Sequence, residues 1–180
     1  MAFGIISRVV LILAVKFLLS SACNGGYELI IDRIENCGGD GQVITIDPKS
    51  MVKLTEDCKV TSKSTVKTIG FKTANMVVTV SKNGVPVVNE KIDLCASMDD
   101  SKNNKDAAEI MSMFGVPDKC PVKAEEIKTN ESQAYSLEKY KRHLMVAEGK
   151  INVDCQIEHD NGKSCFNIDM QVKKQGGLMG

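Results

Sequence analysis

Apolar and polar residues alternate along much of the chain, with a dominant period of two residues. The alternation is clearest over 52–60, 151–157 and 166–172. Such alternation is typical of β-strands with one buried face and one solvated face. Weaker strand candidates are 27–34, 43–47, 64–72, 75–81 and 85–94, with Asn83-Gly84 suited to the turn between the last two. The pattern therefore predicts a mostly antiparallel β protein, most simply a sandwich.

The segment between Cys95 and Cys120 breaks this alternation. Its apolar residues recur at the spacing of one helix face, at Ala107, Ile110, Met111 and Phe114. Asn103 or Asn104 can cap the start of such a helix, and Gly115 suits the position after its end. We therefore expect one short amphipathic helix within a β protein.

A second Asn-Gly pair, Asn161-Gly162, predicts the register of a hairpin. If these two residues form the turn, Cys155 lies opposite Ile168. Cys155 then faces the inside of the sheet and Cys165 the outside. The two cysteines should therefore neither bond to each other nor share a metal ion.

The first 22 residues have the order of a signal peptide. Arg8 precedes an apolar run, and the small residues of 20–22 follow it. The run is interrupted by Lys16 and is too short to span a bilayer about 30 Å thick as a stable helix. We expect cleavage after Ala22 or Cys23, then one domain over 24–175 and a flexible tail over 176–180.

Seven cysteines leave one without a partner if the chain is oxidised. We expect Cys23 to be the surplus residue and to lie outside the fold. Six cysteines remain, and an even number in a secreted chain predicts three disulfides, whose pairing the count alone leaves open. Asn130-Glu131-Ser132 is a glycosylation sequon and agrees with a secretory route.

Charge and residue content exclude several function classes. Removal of Arg8 and Lys16 with the signal segment leaves 21 basic residues against 23 acidic ones, so we expect no nucleic-acid partner. Spacing alone would allow a zinc site from Cys155, His159 and Cys165, but the hairpin register opposes it. We find no Gly-x-Ser-x-Gly elbow and no phosphate loop. We therefore expect no enzyme activity, no metal and no cofactor.

The apolar stripes allow two interpretations. One is an ordinary filled core, in which each apolar residue is simply buried. The other is a sandwich splayed into a cup, with the helix segment at its rim and methionines adapting to an acyl chain or sterol. On the second interpretation the candidate lining residues are Val52, Leu54, Val78, Val80, Ile92, Ile110, Met111, Phe114, Val153, Ile157, Phe166, Ile168 and Met170.

Five stretches taken in order resemble the ML lipid-recognition superfamily, and most closely its ganglioside-activator branch. They are "ENCGGD", "KIDLC", "KCPVK", "YSLEKYKR" and "EGKINVDCQIEHDNGKSCFNIDMQVKK". The resemblance implies an all-β, immunoglobulin-like antiparallel sandwich opened into a lipid-binding cup. It also implies the disulfides Cys37–Cys165 and Cys95–Cys120, and it leaves Cys58 with Cys155.

These observations together predict a secreted, non-enzymatic, monomeric carrier of a lipid or other hydrophobic small molecule. We expect it outside the cell rather than in the lysosomal lumen. One alternative is a recognition module that presents its ligand to a receptor or meets a membrane surface, with residues 97–106 in contact with the partner. Another is a structural β-sandwich without ligand.

Overall fold

The computed structural model describes residues 23–101, 103–132 and 134–174. The predicted signal peptide, 1–22, and the predicted tail, 176–180, lie outside these ranges. None of the described helices is long and apolar enough to cross a membrane.

Strands dominate the described residues, as the alternation predicts. They are β1 (Tyr27–Asn36), β2 (Ile44–Ile46), β3 (Met51–Leu54), β4 (Lys59–Lys63), β5 (Thr65–Thr68), β6 (Ala74–Lys82), β7 (Val85–Asp93), β8 (Glu125–Lys128), β9 (Ala134–Ser136), β10 (Gly149–His159) and β11 (Gly162–Lys174). The helices are α1 (Cys23–Gly26), α2 (Leu94–Ser101), α3 (Lys105–Met113) and α4 (Leu144–Ala147), with a 3-10 helix at Glu138–His143.

These strands form an antiparallel β-sandwich, which confirms the predicted fold class. One layer is a five-stranded sheet in the order β1-β11-β10-β6-β7, and the other consists of two three-stranded sheets, β2-β5-β8 and β3-β4-β9. Most residues that point outward from the large sheet are polar, and several of them are hydrogen-bonded to one another. Asn152 Nδ2 donates to Asp169 Oδ1 over 2.8 Å, and Arg33 Nε donates to Asp169 Oδ2 over 2.9 Å.

The two Asn-Gly turns behave differently. Asn83 and Gly84 both have positive φ, at 50° and 81°, and they join β6 to β7 as predicted. In the other hairpin His159 lies opposite Gly162, so Asp160 and Asn161 form the turn instead of Asn161 and Gly162.

This change of turn moves the predicted register by two residues. Cys155 therefore lies opposite Phe166 and not opposite Ile168. The loop between β5 and β6 holds this turn in place, because Asp160 Oδ1 accepts a hydrogen bond from the Lys72 amide over 2.7 Å. A shift of two residues leaves every side chain on its predicted face. The prediction that Cys155 and Cys165 point to opposite faces is thus confirmed.

The segment that follows β7 holds two helices, whereas the sequence predicted one. The predicted helix is α3, and Asn104 Oδ1 caps it by accepting from the Asp106 amide over 3.1 Å. The missed helix, α2, is capped by Asp93, whose Oδ1 accepts from the Ala96 amide over 3.0 Å. Leu94 and Met98 are its two large apolar residues, and one pair at helical spacing is too short a pattern to predict a helix.

Two of the three expected disulfides are present, and the third is wrong. Cys37 bonds to Cys165, and Cys95 bonds to Cys120. Cys58 bonds to Cys23, with Cα atoms 4.6 Å apart, and Cys155 is free and buried.

The physical reason for the different pairing is the backbone at Cys58. The alternation over 52–60 predicts one continuous strand, but Cys58 lies with φ +59° in the turn between β3 and β4. The Cys23 amide also donates to the Glu56 carbonyl over 2.8 Å, so the two chain segments meet at this turn. Cys23 is only 1% exposed and packs beside Tyr27 and Val172. The expectation that it lies outside the fold is therefore wrong.

Candidate ligand cavity

A cavity of about 580 Å³ lies between the five-stranded sheet and the two smaller sheets. Its volume falls within the range of roughly 300–1,000 Å³ that is usual for small-molecule sites. The described residues that line it are Leu29, Ile31, Ile34, Ile44, Ile46, Ser50, Val52, Val60, Ser62, Ser64, Val66, Thr68, Phe71, Met76, Leu94, Met98, Ile110, Met113, Phe114, Gly115, Val116, Pro117, Val122, Ile127, Tyr135, Leu137, Ile157, Ile168 and Met170. None of these side chains carries a charge.

The large-sheet wall of the cavity is built by the alternation of β1 and β11. Ile168 and Met170 are two residues apart on β11, so both point inward. On β1 the register shifts between Ile31 and Arg33. This bulge inserts one residue into the strand, so Ile34 faces the cavity together with Ile31 although the two are three residues apart.

The opposite wall combines aliphatic and hydroxyl side chains. Val52 and Ser62 are directly opposed on β3 and β4, and both line the cavity. Helix α3 and the turn after it contribute Ile110, Phe114 and Val116. Ile110 and Val116 are more than a third exposed, which places this helix end where the cavity meets solvent.

Six of the thirteen residues predicted from the sequence line this cavity. They are Val52, Ile110, Phe114, Ile157, Ile168 and Met170. The cup interpretation therefore has a geometric basis on both walls and at the helix.

The other seven predicted residues lie elsewhere. Met111 and Phe166 pack in the core around Val43 and Phe71, and Leu54 packs beside Val60. The remaining four lie on the inner face of β6, β7 and β10 but beyond the cavity, at Val78, Val80, Ile92 and Val153. Sequence alternation assigns a face of the sheet, but it does not say how far the second layer extends over that face.

Several lining residues were missed by sequence reasoning. Ile34 was hidden by the bulge in β1, and Ile44, Val66 and Ile127 lie in strands of three or four residues, too short for a period to register. Tyr135 was missed for the same reason, since β9 has only three residues. The one signal in this stretch is an isolated aromatic residue, Tyr135 between Ala134 and Ser136.

Two titratable residues, His159 and Cys155, lie outside the cavity and pack against core residues. His159 Nε2 lies 3.0 Å from Ser164 Oγ, and its ring centroid is 4.6 Å from that of Phe71. Burial lowers the pKa of His159, partly opposed by Asp160. Burial, with help from Asp154, raises the pKa of Cys155 to about 11, so this thiol stays protonated at neutral pH. Among the described residues, no three His, Cys, Asp or Glu side chains are placed to hold a metal ion.

The sequence model of the ML domain matches residues 32–172. The chain belongs to the ML-domain family. It is 59% identical, over 169 residues, to Sporozoite-associated mosquito saliva protein 1 of Anopheles gambiae, a match that covers 92% of this chain and 93% of that protein. The crystal structure of chicken MD-1 complexed with lipid IVa is similar with a TM-score of 0.41 and 10% identity, covering 84% of this chain and 92% of MD-1. The match to the ML-domain model and the relative at 59% identity confirm the predicted family.

Proposed function

We propose that this ML-domain protein is a secreted, non-enzymatic carrier that holds a lipid or similar hydrophobic molecule between its two layers. The observation that carries the proposal is the cavity itself, about 580 Å³ in volume and lined by uncharged, mostly aliphatic side chains. Membership of the ML-domain family agrees with this ligand class.

Binding would be driven by transfer of apolar ligand surface out of water. A ligand that buries about 300 Å² of apolar surface gains roughly 7 kcal/mol at about 25 cal/mol per Å². This gain alone corresponds to a Kd of about 10 μM. The cost of ordering the ligand weakens binding further, so a ligand must bury more apolar surface than this to bind with micromolar affinity.

Three observations support secretion. The described cysteines form three disulfides, which persist in oxidising compartments. A relative at 59% identity is named as a saliva protein. Residues 1–22 have the order of a signal peptide, and the Cys23–Cys58 bond favours cleavage after Ala22 over cleavage after Cys23. The mature domain would then begin at 23, and an N-terminal mass tests this.

Two further expectations remain proposals. Asn130 is exposed in the turn after β8, with its Oδ1 accepting from the Ser132 amide over 3.0 Å, so glycosylation at this sequon is sterically open. A receptor or membrane partner would meet the exposed residues of 97–106, which include Asp99 and Asp100 of α2. The structural-domain alternative is the weaker one, because a filled core would leave no such cavity.

The experiment is purification of the protein under native conditions, extraction with organic solvent and identification of the extracted lipids by mass spectrometry. A parallel titration measures displacement of a fluorescent fatty-acid or sterol probe. Absence of bound lipid together with absence of probe binding would overturn the carrier proposal.

A further inference from the structure

The volume of the cavity sets how much hydrocarbon it can hold. A methylene group packed at interior density occupies about 30 Å³, close to the share of one water molecule in the liquid. A cavity of about 580 Å³ therefore accommodates about 19 such groups. One hydrocarbon chain of sixteen or eighteen carbons fills this space. Two sixteen-carbon chains need about 1,000 Å³ and do not fit.

A disulfide limits how far the two layers can separate to admit a second hydrocarbon chain. Cys23 lies shortly before β1 of the five-stranded sheet, and Cys58 lies in the turn between β3 and β4. Their Cα atoms are 4.6 Å apart. This bond therefore connects the large sheet to the smaller sheet β3-β4-β9.

The disulfide Cys95–Cys120 connects the large sheet to the other smaller sheet. Cys95 comes directly after β7, the edge strand of the large sheet, and Cys120 lies two residues before Val122. Val122 pairs with Phe71, which follows β5 of the sheet β2-β5-β8. Each smaller sheet is thus joined to the large sheet by a disulfide, and the gap between the layers is braced on both.

Hydrogen bonds close the gap between the layers beside the β10–β11 hairpin. The Val43 amide donates to the Lys163 carbonyl over 3.0 Å, and the Ile44 amide donates to Ser164 Oγ over 2.9 Å. Val43 and Phe166 belong to one buried core cluster at this end, and neither of them lines the cavity. Side chains of the protein fill this end, so the cavity does not continue there.

The polar head group of a ligand has its place outside the cavity. No described lining residue carries a charge, and burial of an unpaired charge in an apolar site is strongly disfavoured. Ile110 and Val116 line the cavity and are 37% and 39% exposed. A hydrocarbon chain that fills the cavity therefore presents its head group to water at this end of α3.

We infer that the cavity holds one hydrocarbon chain per protein, so that its ligand is a single-chain lipid with about 16–18 chain carbons and not a two-chain lipid. This inference rests on the proposed lipid-binding function. A two-chain lipid can place only one of its chains inside, and the other stays in the membrane or in water. Each methylene group left in water forfeits about a four-fold gain in affinity, so the single-chain lipid is strongly preferred.

The first test counts lipids on the protein. Lipid-free mature protein is mixed with detergent micelles that contain equal amounts of lysophosphatidylcholine, with one sixteen-carbon chain, and phosphatidylcholine, with two. After removal of the detergent, native mass spectrometry identifies the bound lipid and its ratio to protein. We expect one lysophosphatidylcholine per protein, about ten-fold or more in excess over the two-chain lipid. Two single-chain lipids per protein, or equal amounts of the two lipids, overturns the inference.

The second test measures affinity against chain length. Lysophosphatidylcholines with chains of twelve to twenty-four carbons displace an uncharged fluorescent probe, at concentrations below micelle formation. We expect the affinity to rise by about four-fold per methylene group up to about 18 carbons and then to stop rising, because further carbons lie outside the cavity. A steady rise through twenty-four carbons contradicts the inference.

Two variants connect this limit to the cavity. Ile168→Trp fills part of the cavity and should move the limit to shorter hydrocarbon chains, whereas Val80→Trp, beyond the cavity on the same inner face, should leave it unchanged. The same limit in both variants overturns the inference. Circular dichroism establishes that each variant is folded, and both tests on the wild-type protein stand without the variants. Failure of every lipid and of the probe to bind folded wild-type protein overturns the proposed function instead.

Discussion

Removal of the Cys23–Cys58 disulfide should strongly destabilise this protein. The two cysteines are 35 residues apart, and both are 1% exposed. The chain-entropy model assigns a loop of this length about 4 kcal/mol of stabilisation. Domains of this size are stable by only about 5–15 kcal/mol, so the double variant Cys23→Ala and Cys58→Ala should lose a large share of its unfolding free energy.

Cys155→Ala is the matched control for this experiment. It removes a buried sulfur but leaves all three disulfides intact, and it should cost only about 1 kcal/mol. Urea unfolding followed by circular dichroism measures both costs, and thiol titration in denaturant counts the free cysteines. With the pairing described above, Cys155→Ala has no free thiol. Two free thiols in this variant, together with a loss near 4 kcal/mol, would show that Cys155 is bonded to Cys58 and would refute the reasoning.

Three further predictions concern the cavity, acid sensitivity and a turn. Ile168→Trp should fill part of the cavity and weaken probe binding at least 10-fold. Val80→Trp, on the same inner face but beyond the cavity, should leave probe binding unchanged. Equal losses in the two variants would contradict the position of the cavity. Burial lowers the pKa of His159 below its ordinary 6.5, so the associated stability is fully present above pH 6.5 and is lost as pH falls through the folded-state pKa. Urea midpoints should therefore decline below pH 6.5 in the wild type and less steeply in His159→Gln, and identical slopes would speak against this origin. Gly84→Ala should cost about 1 kcal/mol because φ is +81° there and no atom lies within 4 Å of the added methyl; a neutral effect in urea unfolding would mean that the turn relaxes.

The sequence predicted those features that depend on local period and turn chemistry. Alternation identified β10 and β11 because both are long and have one wet face. The cap at Asn104 and the helical spacing that follows it located α3. The predicted facing of side chains in the β10–β11 hairpin is correct despite a two-residue error in register, because side chains return to the same face every second residue.

Features that depend on a single backbone angle or on sheet-to-sheet distance could not be predicted. A turn with left-handed φ at Cys58 interrupts the strand expected over 52–60, and Cys58 bonds to Cys23, which leaves Cys155 free. A bulge in β1 brought Ile34 into the cavity against the simple period. Val78 and Val153 were assigned to the correct face, but the cavity ends before it reaches them. The boundary of a cavity depends on where the second layer stops, and alternation carries no information about that.

Lipid retained through native purification is the most direct test of the account. The uncharged cavity of about 580 Å³ predicts that solvent extraction of the secreted protein releases a lipid in a ratio near one per chain. It also predicts that Ile168→Trp reduces the recovered amount while the variant remains folded. A wild-type protein that is folded, with its three disulfides formed, yet releases no lipid and binds no apolar probe would contradict the central claim.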